Sequence, residues 1–370
     1  MMIQSVEAIP LAASFSSTFR FGTTDRTTSP NVIVVVRTDA GATGYGEACP
    51  VPAFTSETQR SIVELVEQRV APILVGRDPA DRLPLLHDVG RALRFAPFTV
   101  TAVDTALLDV VARVLGVPVH TLLGGSFRDT TEVHGSVGWN DDPAAMVDVT
   151  TQQAEQYQWL KLYAGRGELN ADLDRLQAVR DAVGADVGLF ADINTMWTPS
   201  DLIRAMPRVK EIGLCMLEQP LPPEAAHFQR RLVAGLQIDV VADEAVRTVA
   251  DAATVVRDGS ATVINVGHSK LGGPTAAMQA AQLAAANGVG VMVGSVIEMG
   301  IATAMGLHIA AAVPHLAYPS YLMGPLKYRQ QITEEQVEVV DGRIAIPEGP
   351  GLGVTVDDNE LRRIDARQSL

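Results

Sequence analysis

From about residue 132 onward, short apolar runs alternate with longer stretches whose apolar residues recur every three or four positions. Runs of the first kind predict strands at Glu132–Gly138, Gln158–Tyr163, Val187–Asp192, Leu214–Glu218, Val240–Asp243, Thr262–Val266 and Val289–Gly294, and the stretches between them predict amphipathic helices. Residues at or just beyond successive strand ends, Tyr163, Asp192, Glu218, Asp243 and Gly267, follow at intervals of 29, 26, 25 and 24. One strand plus one helix per interval is the repeating unit of a parallel (β/α) barrel. A doubly wound open sheet shares the alternation, but it would want a Gly-rich phosphate loop after an early strand. Neither G-x-G-x-x-G nor a Walker sequence occurs.

The pattern before residue 132 is different. Val6–Leu11 and Val32–Arg37 read as strands, and Thr38-Asp39-Ala40-Gly41 turns the chain into a third at Thr43–Ala48, which predicts an antiparallel meander. Ser14–Pro30 is rich in Ser and Thr and has no apolar period, so it reads as irregular, as does Cys49-Pro50-Val51-Pro52. Helical patterns follow at 56–73, 80–94 and 98–115, the first opening on Ser56-Glu57-Thr58-Gln59 as a capping box. Beyond residue 325, Val337–Val340 and Arg343–Ile346 flank Asp341-Gly342 and predict a hairpin. The expected organisation is an α+β capping domain over 1–128, a (β/α) barrel over 129–324, and a segment over 325–370 that packs back on the capping domain.

Composition narrows the class. Of 370 residues, 47% are hydrophobic and 19% charged, which supports a large core and argues against disorder. A formal net charge of −14 argues against a nucleic-acid partner, because displacing phosphate counterions takes a basic face. Alanine-rich segments such as 275–288 are broken by Gln, Asn and Gly and are too short to span a bilayer. The N-terminus has no basic leader followed by an apolar stretch, and Cys215 lies in an apolar run that reads as core; a reduced cytoplasmic setting is expected.

Three carboxylates, Asp192, Glu218 and Asp243, fall at the C-terminal ends of consecutive strands, which in a (β/α) barrel converge on one mouth. Strand-end acids also cap following helices, but three converging like charges call for a compensating cation. Oxygen ligands without nearby His or Cys suit a hard ion such as Mg²⁺ better than Zn²⁺. Phe190-Ala191-Asp192-Ile193-Asn194, Leu217-Glu218-Gln219-Pro220-Leu221 and Val241-Ala242-Asp243-Glu244 resemble the three metal-ligand segments of the enolase superfamily, most closely its muconate-lactonizing-enzyme (muconate cycloisomerase/mandelate racemase-like) subgroup. Gly44-Tyr45-Gly46-Glu47, Leu122-Leu123-Gly124-Gly125 and Pro350-Gly351-Leu352-Gly353 extend the resemblance over nearly the whole chain. It implies a (β/α)7β modified TIM barrel with an α+β cap completed by the C-terminal tail. It also implies Mg²⁺, with Mn²⁺ as the alternative, held by Asp192, Glu218 and Asp243, and abstraction of a proton α to a carboxylate through a metal-stabilised enolate. Asn194 and Glu244 would support the ligands.

The chain departs from that pattern where protons move. The subgroup's Lys-x-Lys at the second strand is matched by Lys161-Leu162-Tyr163, and Gly267 stands where a sixth-strand lysine is usual. Lys270 has a different offset and is expected to face elsewhere. Spacing i, i+2 puts Lys161 and Tyr163 on one interior face, so Tyr163 is the candidate acid/base, with Lys161 and a nearby metal favouring its phenolate. Glu298 resembles the family's glutamate after the seventh strand. Loss of the sixth-strand lysine favours a lyase or cycloisomerase, needing a group on one face of the enolate, over a two-lysine racemase. His268 swinging into the vacancy would restore a racemase or epimerase. A barrel that binds metal and ligand without catalysis, and a Schiff-base aldolase using Lys161, are the other readings. The dipeptide epimerases' Asp-x-Asp after the eighth strand is missing from Ala317-Tyr318-Pro319-Ser320-Tyr321-Leu322. Phe19, Phe21 and Phe54 are expected to wall a small carboxylate substrate, Arg20 or Arg26 to clamp a distal anion, and the protein to form a homo-oligomer.

Overall fold

The computed structural model describes every residue except Ala234, Leu236 and Leu370. Ile3–Pro10 (β1), Val32–Thr38 (β4) and Thr43–Ala48 (β5) form an antiparallel sheet in the order β1-β4-β5, with Ala13–Phe21 (β2) and Thr24–Ser29 (β3) as a separate pair. Helix Pro97–Leu115 lies flush on β5 because Gly44 and Gly46 carry no side chain there: a Cβ at Gly46 would run into the Ala102 carbonyl, and one at Gly44 into that of Ala106. Gly46→Ala must push backbone from backbone, so a loss of about 3 kcal/mol is expected in urea unfolding. A variant as stable as the parent would show that this contact is soft.

Ser14–Pro30 is a hairpin, not an irregular segment. Ala13, Phe15 and Phe19 are buried on one side while Ser16, Ser17 and Thr18 face water, but the pairing register shifts between Ser14 and Phe19. That irregularity breaks the period of two and hides the strands from pattern reading. The first helix starts at Gln59, three residues beyond the Ser56 start expected, and is capped by Thr58 with Ser61.

The barrel strands are Gly135–Val137 (β7), Trp159–Tyr163 (β8), Gly188–Asp192 (β9), Met216–Glu218 (β10), Asp239–Ala242 (β11), Val263–Asn265 (β12) and Gly290–Met292 (β13). They pair in parallel in chain order, and each is followed by a longer helix packed outside, the last being Gly300–Ala312. Residues 317–321 close the ring as an eighth, irregular stave. Ala317 N donates to Val291 O (2.8 Å) on one side, and Ser320 N to Glu132 O (2.9 Å) on the other.

The single strand expected at Glu132–Gly138 is divided. Thr130–Glu132 (β6) leaves the barrel to pair antiparallel with Arg343–Ala345 (β14) of the tail. Val340 and Arg343 exchange both backbone hydrogen bonds around Asp341-Gly342, so the expected hairpin turn forms, but the pairing stops at that one bridge because Arg343–Ala345 pairs with β6 instead. The tail also reaches the first sheet and the N-terminal helices: Ala12 N donates to Ile364 O and Val119 N to Gly351 O, both at 2.8 Å. Among the described residues no helix is long and apolar enough to cross a membrane.

Candidate active site

The barrel register brings the acids together. Tyr163 is aligned with Asp192, and Asp192 with Glu218, across β8, β9 and β10; Asp243 follows the end of β11. Lys161, two residues before Tyr163, sends its ammonium between the first two carboxylates, at 3.0 Å from Asp192 Oδ2 and 3.1 Å from Glu218 Oε2. Lys270 does not face elsewhere. From the short helical turn after β12 it reaches back to Asp243 Oδ1 at 2.7 Å, and it is buried. A strand-based offset misplaced it because the chain turns helical at His268, where residues three apart share a side.

Supports missed in the sequence come from residues whose role depends on register. Asn265 on β12 donates to Glu218 Oε1 (2.9 Å), while its own carbonyl accepts from Gly267 N and Gly294 N. Gln219, at φ +37°, accepts from Asp243 N and Ala245 N and so fixes the loop carrying the third acid. Asn194 and Glu244, the supports expected from the sequence, pair with each other: Asn194 donates to Glu244 Oε1 at 3.2 Å, and its backbone N–H to Asp192 Oδ1 at 3.1 Å. Asn194 Oδ1 and Glu244 Oε2 are buried without a hydrogen-bond partner.

Crowding shapes the electrostatics. Burial pushes the Asp192 carboxyl up to about 7, against the pull of Lys161 and with the repulsion of Glu218 and Asp243. Burial and the neighbouring Asp243 and Asp192 raise Glu244 well above the usual range. Burial works against the Lys161 ammonium, but Glu218 and its neighbours hold its pKa well above the ordinary value. Tyr163 moves opposite to expectation. Burial raises the phenol far beyond its usual range, and Lys161 offsets only part of this, so the phenol keeps its proton. Among the described residues no three His, Cys, Asp or Glu side chains form a ready-made ion cage. Lys161 and Lys270 instead occupy oxygens of the three strand-end acids.

Above this cluster lies a cavity of about 360 Å³. Phe19 and Phe21 of the β2–β3 hairpin and Phe54 of the loop after β5 line it, together with Lys161, Tyr163, Asp192, Asn194, Asp243 and Glu244. Phe19 meets the Tyr163 ring edge-on at 5.5 Å. Glu218 lies beneath, fully buried.

Several candidate site residues lie away from the main cavity or are engaged beside it. His268 does not swing into the site. It is buried, does not line the cavity, and its ring lies beside Gly306 of the last barrel helix, with neither nitrogen hydrogen-bonded. Glu298 does not line the main cavity either: it accepts from Ser269 Oγ (2.6 Å), Ser295 Oγ and Val296 N (3.1 Å), bracing the loop after β13. Arg20 is also outside the lining and sits by Asp25, and Arg26 is engaged by Val296 O and Ser29 Oγ.

Glu47, quoted above only as part of a glycine-rich run, ties cap to barrel. Fully buried, it accepts from Met299 N (2.7 Å) and Ala302 N (2.9 Å) at the start of helix Gly300–Ala312, and from Asn31 Nδ2 (2.7 Å). Burial outweighs these donors and pushes its pKa from the ordinary 4.5 up to about 7. The folded chain therefore holds this proton where the unfolded chain has lost it. Its contribution to stability is complete below about pH 4.5 and is lost as pH rises through about 7. Replacing Glu47 with Gln should flatten the fall in stability across that window relative to the parent, measured by urea unfolding at stepped pH. An identical slope in both proteins would refute the assignment.

The capped parallel barrel gathers acids and ammonium groups at its strand ends, and the comparisons with known proteins place it among isomerases and lyases. Residues 7–124 match the mandelate racemase/muconate lactonizing enzyme N-terminal domain, and residues 145–360 match the enolase C-terminal domain-like family. The chain belongs to the enolase superfamily, in its muconate-lactonizing-enzyme subgroup. It is similar to muconate cycloisomerase 1 of Rhodococcus opacus, 33% identical over 98% of each chain. It is also similar to L-Ala-D/L-Glu epimerase of Bacillus subtilis (strain 168), 29% identical over 96% of this chain and 97% of that one. The crystal structure of muconate lactonizing enzyme from Pseudomonas fluorescens complexed with muconolactone superposes with a TM-score of 0.94, at 28% identity over 98% of this chain and 99% of that one.

Proposed function

We propose that this enzyme is a Mg²⁺-dependent lyase or cycloisomerase acting on a small carboxylate substrate, with its proton carriers on one face. The observation that carries this reading is the asymmetry of the barrel mouth. Lys161 and Tyr163 end the second stave; the sixth, directly across an eight-stave ring, ends in Gly267. A Cβ at Gly267 would meet only ordinary contacts, at 3.5 Å from Gly294 O and 3.6 Å from Lys270 Cε, so the missing side chain is not one that backbone crowding forbids at its first carbon.

Asp192, Glu218 and Asp243 are the candidate ligands for Mg²⁺ or Mn²⁺. Their oxygen donors, the orphaned Glu244 oxygen beside them and four clustered acids against two ammonium groups all suit a divalent cation. Such an ion, when bound, offsets charge on the substrate carboxylate as an enolate forms. Asn194 and Glu244 steady the ligand loops. Lys161 keeps its ammonium toward the carboxylate end of the cavity, and the Tyr163 phenol supplies or returns the α-proton on that same face. Phe19, Phe21 and Phe54 keep water from that proton. A reaction needing one proton donor, such as ring closure with protonation of the enolate, is compatible with this arrangement; loss of water requires one of the two groups to give up its own proton before it takes the substrate's. Inversion of a centre requires a second carrier: His268 is in the wrong place to be one, and Lys270, the ammonium on the sixth-stave side, is engaged by Asp243 Oδ1 and the Asp243 carbonyl and does not line the main cavity.

The test is ¹H NMR of a carboxylate panel, including cis,cis-muconate and β-hydroxy acids, in D₂O with Mg²⁺. Ring closure should place deuterium α to a carboxylate, and water loss should remove an α-proton, with deuterium entering the recovered substrate when that step reverses. Racemisation as the sole outcome, or no exchange in any member, would overturn the reading.

A further inference from the structure

Helix Pro274–Ala286, which follows the sixth stave, opens on Gly273, a residue with no side chain to cap it. The capping acceptor comes from the other domain. Asp104, fully buried on helix Pro97–Leu115, accepts from Thr275 N at 2.9 Å. Its second oxygen pairs at 2.7 Å with Arg82, the first residue of helix Arg82–Leu93, and Arg82 also donates to Thr275 Oγ1. A Cβ at Gly273 would come within 2.6 Å of Asp104 Oδ2, so only glycine leaves room for this carboxylate. Three residues earlier, and so on the same face of its helix, Thr101 places its hydroxyl 3.0 Å from His268 O and 3.2 Å from Ser269 O. Two residues of the capping domain thus grip both ends of the segment His268–Thr275, and neither lines the barrel-mouth cavity.

Lys270 stands in the middle of that segment, bonded to Asp243 Oδ1 and to the Asp243 carbonyl. The turn that carries it, His268–Leu271, has four residues and is followed by Gly272 and Gly273 at φ +84° and +115°. A helix that short does not hold its own position, so what surrounds it must. We infer that Asp104, with Thr101, is a positioning residue for Lys270: the capping domain sets how closely that ammonium approaches Asp243, and so how strongly the acid cluster takes a divalent cation. The second half rests on the proposed function, in which Asp243 is a metal ligand. Lys270 and the cation compete for one carboxylate, so loosening the clamp should tighten metal binding. Asp243 itself stays in place, because Gln219 Oε1 holds its N–H and that of Ala245. Removing the Asp104 charge would by itself act the other way, which makes the sign informative.

The test is calorimetric titration of Mg²⁺ into the full chain and its variants, beside crystal structures of the same proteins in EDTA. Asp104→Ala should bind Mg²⁺ about threefold or more tighter than the parent, and Lys270→Met about tenfold or more tighter. Asp104→Asn, which keeps an acceptor for the Thr275 N–H, should return most of the way to the parent. Asp104→Ala added to Lys270→Met should change nothing further, because the residue it positions is gone. Thr101→Val removes one hydroxyl and should show the same gain in smaller measure, which serves if Asp104→Ala does not fold. In the EDTA crystals of the capping-domain variants, Lys270 Nζ should lie beyond about 4 Å from Asp243 Oδ1. Affinity unchanged or lowered in both Asp104→Ala and Thr101→Val, or a gain that persists without Lys270, overturns the inference. If the parent binds no Mg²⁺, the proposed metal chemistry falls and the crystals decide alone: Lys270 still on Asp243 in both variants refutes the clamp.

Discussion

Tyr163→Phe is expected to lower turnover by about a thousandfold, the range that loss of a positioned proton carrier gives, while Mg²⁺ affinity and fold stability stay near those of the parent. The structure makes this substitution clean. Among the described residues the Tyr163 hydroxyl makes no hydrogen bond, so the phenyl ring removes one oxygen and no structural contact. The ring itself packs edge-on against Phe19 and lies 5.1 Å below the Lys161 ammonium, and phenylalanine keeps both contacts. A drop in rate with unchanged metal binding and unchanged melting would therefore report on the proton. Steady-state kinetics beside Mg²⁺ titration and thermal unfolding settles it. Activity within about threefold of the parent would pass the role to Lys161.

The expected direction of that proton changed between sequence and structure, and the reason is burial. From the sequence, an adjacent lysine favours the phenolate. In the fold Tyr163 is enclosed by Phe19, Phe21 and the acid cluster, and desolvation exceeds what one ammonium returns. Lys161, meanwhile, is committed to Asp192 and Glu218. The face therefore carries two protonated groups, which suits a step that ends in protonating an enolate.

The barrel was legible because its signal is repeated: strands whose apolar runs end in Asp192, Glu218 and Asp243 need only the right period to converge. Residues acting through register or tertiary contact left no such trace. Asn265 and Gln219 read as ordinary polar residues until neighbouring strands align them with Glu218 and Asp243. Glu47 became an inter-domain cap only once helix Gly300–Ala312 docked against β5. The lid hairpin was hidden by the irregularity after Ser14, and β6 by a partner more than two hundred residues away in the tail. His268 and Lys270 exchanged expectations for one local reason. The turn after β12 is helical, so it carries the lysine back to Asp243 and directs the imidazole into the wall behind.

Replacing Lys161 with Met should cost about 3–5 kcal/mol of folding stability in EDTA, the penalty for leaving buried carboxylates without their cation. Methionine fills much the same volume, so the loss is electrostatic and not a matter of packing. Lys161 is the contact cation for two of the three strand-end acids, both almost wholly buried. Without it, Asp192 and Glu218 face each other across adjacent strands with the Asn194 N–H on the one and Asn265 on the other as their remaining donors. If those acids are metal ligands, Mg²⁺ should return most of the lost stability, because a divalent cation that binds only the folded state stabilises it by mass action. The parent, already supplied with an ammonium, should gain less from the same addition. Chemical unfolding of both proteins, with EDTA and with saturating Mg²⁺, reads the difference directly. A deficit that Mg²⁺ leaves untouched would separate the acids from the metal and leave Lys161 as their only counter-ion.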